Sequence, residues 1–312
     1  VLNVSAMADA AVTAKPRIPA LAFALVAVGM GCVVDAFVKH LGASYGAVLV
    51  ACCRYGFGSI VAVAAFVIAR RPMPKPLAMR NHAVRACAAT TSAVLFFHSL
   101  SILQLAEATV LIFCAPLMIA PLARIMLGER FRPMALGAIA IGFVGILVTI
   151  QGGAGQDNPR HLEGVLSGLG AAALYSLSIV LLRQLAQKDD ELTTALLGNV
   201  FPFLLLIVPT FLLGAAPRLE DLPTMAGLGV FGFLLWFLLT RAYARAPAQS
   251  IVVSEYSALI WSALLGYVFF SETPAWQVWA GAAVICAAIG LSAWDSGRAA
   301  RRLMAQAGST PT

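Results

Sequence analysis

Ten long apolar stretches, separated by short polar connections, make up nearly the whole of this 312-residue chain. They fall at residues 18–38, 46–69, 83–103, 108–127, 133–150, 164–183, 194–213, 225–243, 248–270 and 274–294. A run of about 20 apolar residues wound as a helix, rising about 1.5 Å per residue, crosses the ~30 Å hydrocarbon core of a bilayer. The runs are continuously apolar, whereas strands of a membrane barrel alternate apolar and polar positions, so the pattern predicts helices. Five stretches precede the polar segment 151–163 and five follow it. Because five is odd, the second half enters the membrane from the opposite side and is an inverted copy of the first. The expected fold is an all-α polytopic membrane protein, with ten transmembrane helices built as two inverted five-helix repeats. Its parts are a disordered cytoplasmic N-terminus at 1–17, a first repeat at 18–150, an outer linker at 151–163, a second repeat at 164–294 and a cytoplasmic basic tail at 295–312. Met7 is a candidate start. The first run is too long for a signal-peptide core and lacks a convincing cleavage site, so it reads as a retained span.

Composition supports this picture: 61% of residues are hydrophobic and 11% charged, too few charges to cover a soluble surface. The net charge of +7 raises a nucleic-acid partner, which its distribution argues against. With the N-terminus inside, 17 of the 21 Lys and Arg residues, from Lys15 to Arg302 and including Arg85, fall on the cytoplasmic side. Lys39, Arg160 and Arg218 fall outside, and Arg54 lies within a span. This is the positive-inside asymmetry of a multi-pass protein of the bacterial inner membrane with both termini cytoplasmic, and omitting one span would scramble it. The six cysteines lie in or beside apolar runs without metal-ligand spacing, so they read as small core residues, with neither metal nor cofactor implied.

The ends of the two halves carry a similar pattern. Residues 115–133 read APLMIAPLARIMLGERFRP and residues 257–274 read SALIWSALLGYVFFSETP. In each, an apolar span closes on a small residue and a glutamate (Gly128-Glu129, Ser271-Glu272), and a proline then opens the next helix. Proline fits a helix start, where its missing N–H has no intrahelical partner. The glutamates are expected to face the positive end of the helix that follows, as helix-start or gating residues. These motifs, the ten-span half-repeat and an arginine in the second span (Arg54, in CCRYGFG) resemble the drug/metabolite transporter superfamily, and within it the EamA-type permeases. Ser271 departs from that family's usual glycine. The resemblance implies a proton- or gradient-dependent carrier or exporter with a central cavity between the halves and spans five and ten at the periphery.

Gly227, Gly229 and Gly232 match a dinucleotide-binding G-x-G-x-x-G, but no strand precedes them and they lie inside a span. Close helix packing explains them better, and Gly137, Gly142, Gly145, Gly164, Gly168 and Gly170 are expected to act likewise.

Ionisable groups within spans are costly and mark cavities or partners. Glu255, deep in span nine with no basic residue one turn away, is a candidate proton carrier. Arg54 could hold an anionic solute group or form a structural pair with Asp35, which also has Lys39 at the i,i+4 spacing. His98 could relay protons or simply be hydrogen-bonded near a helix end. Tyr175, Asn199, Tyr256 and Trp261 could line a solute cavity, while Trp236, Trp276, Trp279 and Trp294 read as interfacial anchors.

The chain thus reads as a secondary transporter, an exporter or exchanger of a small organic metabolite such as an amino acid or a related compound. Its expected partners are that solute and the lipid bilayer, with no nucleic acid. Proton coupling and a homodimer stay open. The alternatives are an uptake permease and a non-transporting sensor or assembly protein. A lipid-modifying enzyme would need clustered catalytic groups at one membrane face, which four scattered histidines do not supply.

Overall fold

The structure is a computed structural model and describes residues 18–72, 74, 76–127, 133–151, 158–185, 189, 191–214, 216–243, 257–288 and 290–291. Its helices are α1 (Ile18–Gly42), α2 (Ala47–Ile68), α3 (Pro76–Ile102), α4 (Leu105–Ile112), α5 (Ala115–Leu127), α6 (Pro133–Gln151), α7 (His161–Leu185), α8 (Glu191–Leu212), α9 (Leu222–Tyr243), α10 (Ser257–Phe270) and α11 (Trp276–Ala288). Among the described residues, six helices are long and apolar enough to cross a membrane. Four shorter apolar segments, Leu105–Ile119, Ala140–Thr149, Ser257–Phe270 and Trp276–Ala288, occupy the remaining four predicted stretches.

The fourth stretch differs from expectation. It starts at Leu105 rather than residue 108 and breaks at Phe113 and Cys114 into α4 and α5. Pro116 explains the break: it has no N–H to give the Ile112 carbonyl, yet it suits the first turn of a new helix. The Ser176 hydroxyl of α7 donates to the Ala115 carbonyl at 2.9 Å, satisfying one polar group beside the break.

The main packing runs between the halves. Helix α3 lies on α7, α1 on α9, and α2 on α8 and α9; α5 lies on α7 and α1 on α10. Exchanging the halves maps this set largely onto itself, since α1–α9 corresponds to α7–α3 and α5–α7 to α10–α1. The fold is two five-helix repeats sharing one core, in which Leu100, Leu105, Leu111, Met225, Leu228 and Ile285 are fully buried. Phe37 of α1 meets Phe231 of α9 with ring centroids 6.0 Å apart.

Lipid offers little hydrophobic drive between helices, so close backbone approach carries much of the cohesion. A Cβ added at Gly229 would lie 2.8 Å from the Gly58 nitrogen, and one at Gly232 would lie 3.2 Å from Arg54 Nε. In the G-x-G-x-x-G, Gly229 and Gly232 therefore pack α9 against α2, while Gly227 faces Phe37 of α1. At the periphery α6 crosses α11, where a Cβ at Gly145 would lie 2.9 Å from the Gly281 carbonyl oxygen. Gly142, Gly164, Gly168 and Gly170 also face neighbouring side chains, but Gly137 faces open space and does not share the expected role. Ile141, Phe143 and Val144 of α6 are exposed, as are Ile60, Val67 and Phe211 elsewhere, giving the bundle a lipid-facing surface.

Candidate functional site

Three polar regions lie within this apolar bundle, one of them at the start of α3, where fully buried His82 bonds Asp189, between α7 and α8, at 3.1 Å. The first is at the end where α1, α3 and α10 terminate and α4 and α7 begin. Lys39, in the last turn of α1, pairs with Glu272 at 2.8 Å, and both side chains are largely buried. Its ammonium also donates to the Leu100 carbonyl at 3.2 Å and to the Leu103 carbonyl, so all three of its hydrogens are engaged. Those carbonyls belong to the negative end of α3, where a cation is favoured. The other Glu272 oxygen accepts from the Leu105 N–H at 2.8 Å, at the positive end of α4, whose own N-cap residue Gln104 makes no side-chain cap. One ion pair therefore closes both helix ends at the α3–α4 turn.

Local backbone geometry puts Glu272 there. Ser271 ends α10 at φ 55°, the left-handed region that favours glycine. Its N–H bonds the Tyr267 carbonyl at 3.1 Å, and the Glu272 N–H reaches the Gly266 carbonyl at 3.1 Å. A Cβ at Gly266 would press on the Glu272 carboxylate at 2.9 Å. The small residue before the glutamate is therefore a turn requirement, and the serine adopts it at some cost. The carboxylate caps α4, not the helix that follows it in the chain.

Nearby, Glu107 of α4, only 1% exposed, bonds His161 of α7 at 2.8 Å. Tyr45, between α1 and α2, donates to Asp221 before α9 at 2.5 Å, and this bond pushes the Tyr45 phenol pKa up. His98 bonds Glu163 at 2.7 Å, and Glu163 also holds Arg160 at 2.9 Å. Each of these contacts joins residues of the first half to the second, except the Arg160–Glu163 pair.

The second region is central. Arg54, the eighth residue of α2, is 8% exposed, with its guanidinium carbon 4.5 Å from the Tyr55 ring centroid. Asp35 lies within Coulombic reach, but no Arg54 nitrogen comes within 4.0 Å of its carboxylate, so the direct pair is not formed. Lys39 does not pair with Asp35 either, being held by Glu272. Arg85 is the tenth residue of α3, in the half of that helix away from the latched end, the half that the charge pattern assigns to the cytoplasmic side. It lies within Coulombic reach of Tyr55, and a Cβ at Gly198 of α8 would meet its Nη2 at 2.9 Å. The Nε atoms of Arg54 and Arg85 are both buried without a hydrogen-bond partner. Asn199 reaches the same region: its amide nitrogen donates to the Ala195 carbonyl at 2.8 Å, and its oxygen would lie 2.7 Å from a Cβ at Gly58.

Trp261 packs on Gly29 of α1 and is 40% exposed, while Tyr175 packs against the core. Trp276, Trp279 and Trp236 are exposed. Glu129, Glu255, Tyr256 and Trp294 lie outside the described residues. All six cysteines are free thiols. Lys39, Tyr55, Arg85, Glu107 and His161 were not singled out from the sequence as site residues. Lys39 and Arg85 had only the signal of a charge beside an apolar run.

Comparison with known proteins agrees with this architecture. A solved crystal structure superposes with a TM-score of 0.58 at 20% identity, covering 91% of this chain and 99% of that one, which shows a shared fold. An uncharacterized transporter of Helicobacter pylori is 30% identical over 181 residues, 55% of this chain and 59% of its own length. The S-adenosylmethionine uptake transporter of Rickettsia bellii is 26% identical over 251 residues, 80% of this chain and 85% of that one. The family model described as the EamA-like transporter family matches twice, at residues 18–151 and 162–294, one match per five-helix repeat. The chain belongs to the EamA-like transporter family, as a membrane protein of two five-helix repeats.

Proposed function

We propose that this chain is a secondary transporter that moves a small organic metabolite, such as an amino acid or a related compound, by alternating access between its two halves. The observation that carries this is the latch of Lys39 with Glu272, Glu107 with His161 and Tyr45 with Asp221, which ties the halves at one end of the bundle by three contacts, against the His82–Asp189 contact at the other end among the described residues. Discrete polar contacts between otherwise apolar repeats suit an end that must close and reopen, with Glu272 as the gating acid. The charge asymmetry supports reading this as the outer end of a protein in the bacterial inner membrane with both termini cytoplasmic. A reporter placed near Asn158 is then outside, and one after Arg302 is inside.

Export or exchange is the first reading. The name of the Rickettsia relative favours uptake as the second. Glu255 is proposed as the residue that carries a coupling proton. The test is solute accumulation by proteoliposomes supplied with a small-molecule cell extract, with and without a pH gradient. Protein-dependent accumulation supports transport, and its absence favours a sensor or assembly role. Glu255→Gln keeps its shape but cannot titrate, so it should lose gradient-driven accumulation and keep exchange at equal pH.

A further inference from the structure

We propose that Arg54, Tyr55 and Arg85 form an anion-binding site between the halves, so that the transported solute carries a carboxylate or phosphate group. This rests on the transport reading above and names the class of solute.

A guanidinium away from water needs a counter-charge or hydrogen-bond acceptors, because burial without them is costly. Among the described residues, neither Arg54 nor Arg85 has an ion-pair partner within 4.0 Å, and each keeps an orphaned buried Nε. Asp35 offsets Arg54 only at longer range, leaving the buried Arg54 and the partly buried Arg85 against one acid in this group of residues. Lys39, by contrast, has every hydrogen satisfied. The unmet donors lie between the halves on either side of the middle of the bundle, along the route a carried solute takes.

The surroundings are shaped around these side chains. Arg54 lies against Gly232 of α9 and Arg85 against Gly198 of α8, and an added Cβ would crowd each guanidinium at 3.2 and 2.9 Å respectively. The first half thus supplies the cations and the second half supplies the notches that admit them, a division that places the site on the surface where the repeats move past each other. From the helix positions, at about 1.5 Å per residue, Arg54 sits about 10 Å below the latched end and Arg85 about 25 Å below it. Tyr55, beside Arg54 and within reach of Arg85, lies between these two levels. An anionic group can therefore be passed from one guanidinium to the other while Tyr55 offers a hydroxyl donor and a ring face. A guanidinium matches carboxylate and phosphate oxygens with paired N–H donors, which suits both groups and does not suit a cation or an uncharged solute.

The test uses the full chain in proteoliposomes, with the accumulated solutes of a cell extract identified by mass spectrometry. Every solute that depends on the protein should carry a carboxylate or phosphate. Arg54→Gln and Arg85→Gln should each lower its flux about tenfold or more, with Arg→Lys at either site recovering part of it. Gly198→Ala should also lower flux, by displacing Arg85. Accumulation of solutes that lack any anionic group would overturn the site while leaving the transport reading intact. So would normal flux in the Arg54→Gln, Arg85→Gln double variant. If wild-type vesicles accumulate nothing, the transport reading itself fails. If the glutamine variants do not reach the membrane, the solute class moved by the wild type still decides.

Discussion

The latched end and the centre of the bundle handle buried charge in opposite ways. Lys39 at the latch has a carboxylate and two helix-end carbonyls, and Glu272 has a cation and a helix-start N–H. Arg54 and Arg85 at the centre have a phenol ring, a distant acid and two glycine notches. A satisfied buried pair holds one arrangement of the helices. An unsatisfied buried cation holds very little and stays ready for a ligand. On the anion-site proposal, the polar groups that shape this molecule and those that would serve a solute are separable by asking which donors already have acceptors.

That separation can be broken by substitution. Glu272→Ala strands Lys39 in a buried site and should lower stability by about 3–5 kcal/mol, read as a fall in thermal unfolding temperature of the purified protein. Pairing it with Lys39→Met should restore much of the loss, because no buried charge then lacks a partner. Gly229→Ala, which forces α9 away from the backbone of α2 beside the centre, should cost about 1–3 kcal/mol. Ser271→Gly should do the reverse at the latch, raising stability by roughly 1 kcal/mol by relieving a left-handed serine. Smallest of all, Arg54→Gln and Arg85→Gln should change stability by no more than about 1 kcal/mol, since neither loses an ion pair within 4.0 Å among the described residues and Arg54 gives up only its contact with the Tyr55 ring. An unfolding shift for either arginine as large as that of Glu272→Ala would erase the distinction between the two regions.

The division into helices was legible from the sequence because a span is a local property: twenty apolar residues announce themselves. The half-repeat was legible from the paired small-residue, glutamate and proline motifs. The latch was not, because its partners lie far apart in sequence, as with Glu107 and His161 or Lys39 and Glu272. Local spacing offered Asp35 to Lys39, and only tertiary packing could replace it with Glu272. Arg85 was hidden by its position near the start of an apolar run, where a charge reads as part of the loop. Arg54 stood out because it lies well inside its span, yet its neighbours Tyr55, Asn199 and Gly232 come together only when α2 meets α8 and α9. The turn chemistry of Ser271 was visible as a departure from a glycine, and its φ gives the reason that position favours glycine.

For solute to cross by alternating access, the latched end must open. Tyr45→Cys with Asp221→Cys puts one thiol on each half at that end, where the native side chains lie 2.5 Å apart. The pair can be joined by a bifunctional thiol reagent that a reductant cleaves, with each single-cysteine variant treated alike as a control for the native thiols. Solute flux in proteoliposomes should stop when the two are joined and return when the bridge is cut. Undiminished flux through the joined protein would contradict alternating access at this end.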